Sequence, residues 1–404
     1  MEHEHETRST SSRYDVVVVG ARCAGAATAM LLARRGFRVL VVDRERYGAD
    51  TLSTHALMRG GVLQLHRWGI LDGIKAAGTP TVRSTAFHYG DEKIEIQIKP
   101  KDGVDGLYAP RRKVIDRLLV DAARSAGADV VYETRLVDLA RSESRVCGAR
   151  LRSASGEEFA VAAGLVIGAD GIHSTVAGLV GAEPYKRGLH ATGVVFNYWG
   201  NTDIDGYHWC YRPGVSVGVI PTNDGLACVF VSVSQSRFHE EVGVDVATGY
   251  QRLLKECNPG LAAVVERATQ VERYRGFAGQ VGFFRQSWGP GWALVGDAGY
   301  FKDPLTAHGM TDALIGAELL ASAAAQGNDS ALAGYQQARD DLAMTLFDVT
   351  DAIASYNWDL TSVAELHRSL SDEMKKETAE VKSWRQDGPQ GGRLDLERHP
   401  PRHR

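Results

Sequence analysis

The chain has 404 residues, 44% of them hydrophobic and 24% charged, with a formal net charge of −4. That length can bury a large core and allows two or three domains, and the slight acidity excludes a general nucleic-acid partner. Five cysteines without metal-ligand spacing imply reduced thiols in a cytoplasmic protein and no metal site.

Residues 1–12 are rich in His, Glu, Arg, Ser and Thr and have no apolar core. They read as a disordered start, neither a signal peptide nor a membrane span. Val16 to Val19 is a continuous β-branched run, as expected of a strand buried on both faces. Gly20 to Gly25 turns the chain, and Ala24 to Arg35 is rich in helix formers, with Gly36 placed to end the helix. Val39 to Val42 is a second buried strand closed by Asp43. A helix N-terminus offers unpaired N–H groups to a pyrophosphate, and an acid at the end of the second strand can hold an adenosine ribose. Arg22 stands where the middle glycine of G-x-G-x-x-G is usual. Its guanidinium either points at the phosphates or swings into solvent.

Thr54 to Trp68 reads as a helix, and Gly60-Gly61 marks a close approach by a flat ring or by another helix. Ser84–Tyr89 and Ile94–Ile98 read as a hairpin whose Ile94, Ile96 and Ile98 face a core. Val114 to Ser125 is an amphipathic helix following Arg111-Arg112-Lys113. Asp129–Tyr132 is a strand, Arg145–Ser153 and Glu158–Ala162 extend a meander, and Leu165–Ile167 is a further buried strand. Four antiparallel strands follow: Gly193–Trp199, Tyr207–Arg212, Ser216–Ile220 and Ala227–Val233, with turns at Pro213-Gly214 and Asp224-Gly225. Their aromatic content suits a pocket wall, and strand register decides which of Tyr198, Trp199, Tyr207, Trp209 and Tyr211 face inward. Asp245–Lys255 is a helix. Trp292–Val295 is a strand ending in Gly296-Asp297-Ala298. Thr311–Ala325, Leu332–Tyr356 and Thr361–Trp384 are helices, and 385–404 reads as a disordered tail.

Three separated motifs stand out: Gly20–Gly25 with Asp43; Gly168-Ala169-Asp170-Gly171 with Ser174; and Gly296-Asp297-Ala298 with Pro304 and Gly309-Met310. In this order they resemble the single-component FAD-dependent aromatic hydroxylases, the group A flavoprotein monooxygenases, over roughly Asp15 to Ala325. The resemblance implies an α/β fold, with a Rossmann-like FAD-binding domain (13–80, 106–185 and 275–330) interleaved with an antiparallel-sheet substrate domain (81–105 and 186–274). A helical C-terminal region (331–384) completes it. It further implies that Gly20, Arg22, Cys23, Ala24 and Gly25 meet the pyrophosphate and that Asp43 and Arg44 hold the adenosine. Arg112, or Arg111 in its place, would reach the phosphates. Asp170-Gly171 would serve FAD and NAD(P)H, Gly296-Asp297 the ribityl chain, Pro304 the flavin ring, and Gly309-Met310 its pyrimidine edge.

The activity implied is a monooxygenase. NADPH or NADH would reduce FAD, O2 would form a C4a-hydroperoxyflavin, and an aromatic or polyketide-like small molecule would be oxygenated. His308, His55 and Tyr211 are the candidate catalytic groups, and Trp209, Tyr198 and His208 the candidate substrate contacts. The third motif departs from the usual hydroxylase pattern, reading Lys-Asp-Pro-Leu-Thr-Ala-His-Gly-Met. That form is similar to reductases and halogenase-like proteins. The alternatives are therefore an FAD-dependent reductase or dehydrogenase of an isoprenoid or other alkene, a halogenase-like flavoenzyme, or a flavin-binding protein without turnover. A monomer or homodimer without membrane partners is expected.

Overall fold

The structure is a computed structural model and describes residues 13–243 and 245–384. The expected disordered ends, 1–12 and 385–404, lie outside the described residues. From the amino end, β1 (Arg13–Val19), α1 (Cys23–Arg34) and β2 (Val39–Val42) form the opening unit, followed by α2 (Arg59–Arg67), α3 (Leu71–Ala76), β3 (Ser84–Tyr89) and β4 (Glu92–Gln97). Next come α4 (Arg112–Ser125), β5 (Asp129–Val131), β6 (Arg135–Ser142), β7 (Arg145–Arg152), β8 (Glu158–Gly168), α5 (Thr175–Val180) and β9 (Pro184–Arg187). The central sheet strands are β10 (Thr192–Gly200), β11 (Tyr207–Arg212), β12 (Val215–Pro221) and β13 (Leu226–Ser234), backed by α6 (Gln235–Glu241), α7 (Val246–Cys257) and α8 (Pro259–Arg267). Short strands β14 (Thr269–Gln270), β15 (Arg275–Phe277), β16 (Phe283–Arg285), β17 (Trp288–Gly289), β18 (Trp292–Leu294) and β19 (Tyr300–Phe301) lead to α9 (Gly309–Ala324), α10 (Asp329–Ala354) and α11 (Leu360–Ser383).

The first sheet runs β17-β18-β8-β1-β2-β5, with β7 and β6 added beside β8. Its middle strands are parallel. Alternate residues of β1 enter two different cores: Val16 and Val18 pack under α1, while Val17 and Val19 pack on the other face. A strand buried on both faces has no polar side to alternate with, which is why Val16 to Val19 is unbroken. The second sheet runs β14-β10-β13-β12-β11-β3-β4, with β15 beside β10. One of its faces (Val194, Phe196, Tyr198, Trp209, Tyr211, Phe230) joins the core of the first domain. The other (Val195, Trp199, Cys210, Val217, Val231) packs against Phe238, Tyr250 and Leu253 of the backing helices. This is the expected α/β architecture: an FAD-type domain interleaved with an antiparallel sheet, and helices at the C-terminal end.

Several local expectations are corrected. Residues 54–58 are not helical: Leu57 bridges to Tyr108, His55 has φ +50°, and the helix starts only at Arg59. β4 has no buried face; Ile94 and Ile96 are exposed on an edge strand, because alternation fixes which residues share a face but not whether anything covers it. Glu158–Ala162 and Leu165–Ile167 are one strand, β8, whose first half pairs antiparallel with β7 and whose second half pairs parallel with β1 and β18.

A buried carboxylate ties the loop before α9 to the second sheet. Asp303, just before the loop to α9, accepts the Thr192 N–H at 2.8 Å, the Thr192 hydroxyl at 2.7 Å and the Leu305 N–H at 3.0 Å. Burial pushes it up to about 6, against those hydrogen bonds. Replacing Asp303 by Ala leaves buried donors unmatched and is expected to cost roughly 2–4 kcal/mol in urea unfolding. A loss below about 0.5 kcal/mol would show that the docking of this loop on the second sheet does not depend on the contact.

Candidate cofactor and substrate site

The first and second motifs meet as backbone against backbone. Gly20 has φ +105°, and a Cβ there would lie 2.4 Å from the Ala169 carbonyl oxygen. A Cβ on Gly25 would lie 1.9 Å from the Gly20 carbonyl oxygen. Only glycine permits both approaches. The third motif arrives at the same point: a Cβ on Gly296 would lie 2.8 Å from the Ala24 Cβ. Asp43 accepts the N–H groups of Ala21 at 2.7 Å and Glu45 at 2.8 Å, so its carboxylate is fixed beside the turn. Arg44 is largely exposed and faces Glu45 at 3.6 Å. Asp170 accepts the Ser174 hydroxyl at 2.5 Å and the Thr175 N–H at 2.6 Å, so it caps α5. The backbone at Ala169 and Asp170 is then what this motif presents beside Gly20. Burial raises the Cys23 thiol to about 12, so it stays protonated and is no nucleophile.

Positive charge gathers at the N-terminus of α1. Arg112 pairs with Asp116 at 3.1 Å and acts electrostatically on Cys23 and Asp297. Arg22 also acts on Asp116, and its Nη1 is buried without a partner among the described residues. Arg22 therefore turns inward, while Arg112 is the guanidinium that pairs with Asp116 among the described residues. Asp297 has no side-chain hydrogen bond among the described residues, and burial, with Asp312 adding to it, raises it to about 6. Arg111, the fallback for Arg112, is placed elsewhere: it pairs with Asp50 at 3.0 Å and Glu272 at 2.7 Å and lies 3.7 Å over the Tyr198 ring.

The start of α9 forms the other end of the cleft. Pro304 opens a short turn after Asp303, and Ala307 leaves it with φ +51°. His308 precedes α9, Gly309 is exposed, and a Cβ there would meet nothing within 4 Å. Met310 is buried. His308 Nε2 donates to Glu377 at 2.9 and 3.1 Å. Asp312 lies 3.7 Å from the same nitrogen and pairs with Lys302 at 2.9 Å. Three donor groups thus converge, but the Lys302 ammonium already provides the cation beside Asp312.

On the sheet side, Tyr198 and Trp209 face the cofactor domain, and His55 Nε2 is 3.0 Å from the Tyr198 hydroxyl. Burial, with Arg111 adding to it, lowers His55 to about 3, so it is neutral at ordinary pH. Tyr211 faces the same way but is enclosed by Tyr89, Trp358 and His367. That makes it part of an aromatic wall, not a group free to exchange protons. His208 and Trp199 are corrected as pocket candidates. Trp199 contacts Tyr250 on the back of the sheet, and His208, one residue out of phase with Trp209, pairs with His88 at 3.1 Å.

Glu377 was not nominated from the sequence, nor were Asp312 and Lys302. A signal existed: Val363, His367, Leu370, Met374, Glu377 and Val381 follow one helical stripe, and Glu377 is an acid on its buried side.

A family model described as "FAD binding domain" matches residues 13–350. The chain is 26% identical over 333 residues to digeranylgeranylglycerophospholipid reductase 1 of Methanococcoides burtonii, covering 79% of this chain and 77% of that protein. Among solved structures, a flavin-dependent brominase superposes with a TM-score of 0.80 at 17% identity, covering 92% of this chain and 96% of that one. Pseudomonas aeruginosa PqsL, solved with 2-aminobenzoylacetate, gives 0.70 at 23% identity, covering 92% and 100%. These two likenesses show the fold. The chain belongs to the FAD binding domain family and is an FAD-dependent oxidoreductase.

The residues present fit FAD. The glycine turn, the inward Arg22, Arg112, the free Asp297 carboxylate and the open space at Gly309 are what a pyrophosphate, a ribityl chain and a flavin edge require. Gly25→Ala is expected to lower stability by about 3 kcal/mol or more through overpacking. Gly309→Ala should leave the thermal midpoint unchanged yet weaken FAD binding by about tenfold, ~1.4 kcal/mol. Flavin fluorescence titration separates the two, and equal FAD affinity in wild type and Gly309→Ala would remove Gly309 from the cofactor site.

His55 and His367 are each lowered by burial to about 3 from the usual 6.5. Unfolding lets them take protons, so each erodes stability as pH falls from 6.5 toward 3, by at most about 1.4 kcal/mol per pH unit. Asp297 and Asp303, raised to about 6, act in the opposite sense between that value and the usual 3.8. Comparison with His367→Gln isolates the histidine: the stability difference should shift in the variant's favour as pH drops from 6.5 to 4. A difference independent of pH would refute the assignment.

Proposed function

We propose that this member of the FAD binding domain family reduces a carbon–carbon double bond in an extended apolar small molecule of isoprenoid type. The observation that carries the reading is the character of the sheet face turned to the cofactor domain. Phe196, Tyr198, Trp209, Tyr211, Ile220 and Phe230 lie on it, and no residue of that face in β10 to β13 carries a formal charge. Such a wall suits a hydrocarbon, which needs contact area and no polar recognition. The reductase name carried by the Methanococcoides burtonii relative, similar along most of both chains, supports the same class.

When bound, FAD in its reduced form would supply the hydride equivalent, with NADPH or NADH as the electron donor. The chain's own residues would do the rest. Gly20, Gly25, Arg22 and Arg112 hold the phosphates, Asp297 the ribityl chain, and the N-terminus of α9 the flavin edge. The aromatic wall holds the alkene and keeps water away, and His308 is placed to give a proton to the second carbon. Aromatic hydroxylation is the second reading, favoured by the stacked rings of Tyr89 and Tyr211 with His367 tilted against them, a cluster that could receive a flat ligand.

The test is anaerobic. FAD-reconstituted protein, reduced with NADPH, NADH or dithionite, is mixed with geranylgeranyl compounds. Reoxidation of the flavin without oxygen, with two hydrogens added per double bond in the product mass, is the expected result. No anaerobic turnover, together with an oxygen atom gained by a phenolic ligand in air, would replace the reductase with the hydroxylase.

A further inference from the structure

We propose that Glu377 is a positioning residue for His308, which makes the C-terminal helix α11 part of the active site. The matched family region ends at residue 350, and α11 begins at Leu360. Nothing in the family likeness therefore places a functional group on this helix.

The geometry points to Glu377 in three steps. First, its side chain is 3% exposed although it is a carboxylate. Burying such a group costs several kcal/mol unless donors surround it. Second, both of its oxygens converge on one nitrogen, His308 Nε2, at 2.9 and 3.1 Å. A carboxylate only accepts, so Nε2 carries the proton and the ring is fixed in orientation. Third, the remaining ring nitrogen, Nδ1, is buried and has no partner among the described residues. His308 immediately precedes the exposed Gly309, where the flavin edge is expected. The arrangement is a base oriented by a third group, with its working nitrogen left free.

The surroundings are consistent with a proton-handling role. The charged groups nearby are Glu377 on α11, Asp312 on α9 and Lys302 on the preceding loop, with Asp297 close to Asp312. Lys302 offsets one of the two carboxylates beside His308, and a protonated imidazole would offset the other. In the reduction, FAD, when bound and reduced, would supply the hydride equivalent for one C–H bond. The proton on His308 Nδ1 forms the other as the C=C π bond breaks. The imidazole left behind, still held by Glu377, is reprotonated from solvent. α11 itself is anchored independently of this pair, through Arg67 to the carbonyls of Val381 and Trp384 and through Val363 and Val381 in the core.

This inference rests on the reductase reading for the identity of the proton acceptor, but not for the dyad. The experiment uses the full chain with FAD and the variants Glu377→Gln, Glu377→Asp and His308→Asn. FAD affinity and thermal midpoint are measured first, and Glu377→Gln should stay within about threefold of wild type in affinity. Histidine NMR, with the His308 signal assigned by its loss in His308→Asn, should show a downfield Nε2–H signal in wild type that moves upfield or is lost in Glu377→Gln, because the charged acceptor of that hydrogen bond is gone. The rate of flavin reduction should not change. The proton-dependent step should slow about 10–100-fold, with partial rescue in Glu377→Asp, and Glu377→Gln combined with His308→Asn should be no worse than His308→Asn alone.

An unmoved His308 Nε2–H signal in Glu377→Gln overturns the dyad even if alkenes are reduced. A moved signal without alkene reduction keeps the dyad and removes the reductase reading. If Glu377→Gln does not fold, the same signal is read in Glu377→Asp, where no change refutes the proposal. Loss of activity on chelation, restored by a divalent cation, would also overturn it, by assigning the three donors to a metal.

Discussion

Three backbones meet at the first turn, and the rest of the molecule is arranged around that contact. The Gly25 backbone lies against the Gly20 carbonyl, and Gly20 lies against Ala169. Neither approach tolerates a Cβ. The consequence is geometric: α1 begins directly over the ends of β1 and β8, so its unpaired N–H groups point out of the sheet edge. The third motif then comes in over Ala24 through Gly296. Segments far apart in sequence thus share one small volume because each gave up a side chain there. Guanidiniums follow from the same constraint, since Arg22 and Arg112 can both reach a helix end that carries no bulk of its own.

The turn, the paired strands and the four-strand sheet were legible in the sequence because they are encoded locally. β-branched runs, an Ala-rich helix and Gly-containing turns state their conformation within a few residues. What was not legible depends on contacts across the chain. Ile94 and Ile96 alternate as a buried strand would, but nothing covers β4. Residues 54–58 have no local reason to leave the helix; they do so because Leu57 pairs with Tyr108. The Gly164 region looked like a break in β8, yet the strand continues through it, because its two halves pair with different partners. Trp199 and His208 were separated from Tyr198 and Trp209 only by register, which is settled by pairing and not by composition.

The site shows the same division. Its glycines and Asp297 announce themselves by motif, since a cofactor constrains backbone and polyol contacts in a fixed order. Arg111 and Arg112 are adjacent and chemically equal, so only the start of α4 could tell them apart: Arg112 turns to the α1 end, and Arg111 closes the seam with Asp50, Glu272 and Tyr198. Glu377 lies some seventy residues from His308 and becomes its partner only when α11 docks on α2 and α10. No spacing rule connects them, although an acid on an otherwise apolar helical stripe marks a position where a buried charge must find a donor.

The distribution of charge bears on how a reduction could be organised. Ionisable groups at the cleft belong to the α1, α4, α9 and α11 side, while the facing sheet offers rings, aliphatic groups and hydroxyls. His55, hydrogen-bonded to Tyr198 of that wall, is held neutral by burial. Under the proposed reduction, such a partition would keep protons on the cofactor side and leave the substrate in a low-dielectric half where a charge would be costly. α11 bridges the halves. His367 near its start touches Tyr89 and Tyr211 of the wall, and Glu377, ten positions on and hence about 15 Å along the axis, touches His308. A single helix therefore sets the position of the aromatic wall and of the proton-bearing histidine together. That explains why its buried stripe includes two polar residues where packing alone would favour leucine.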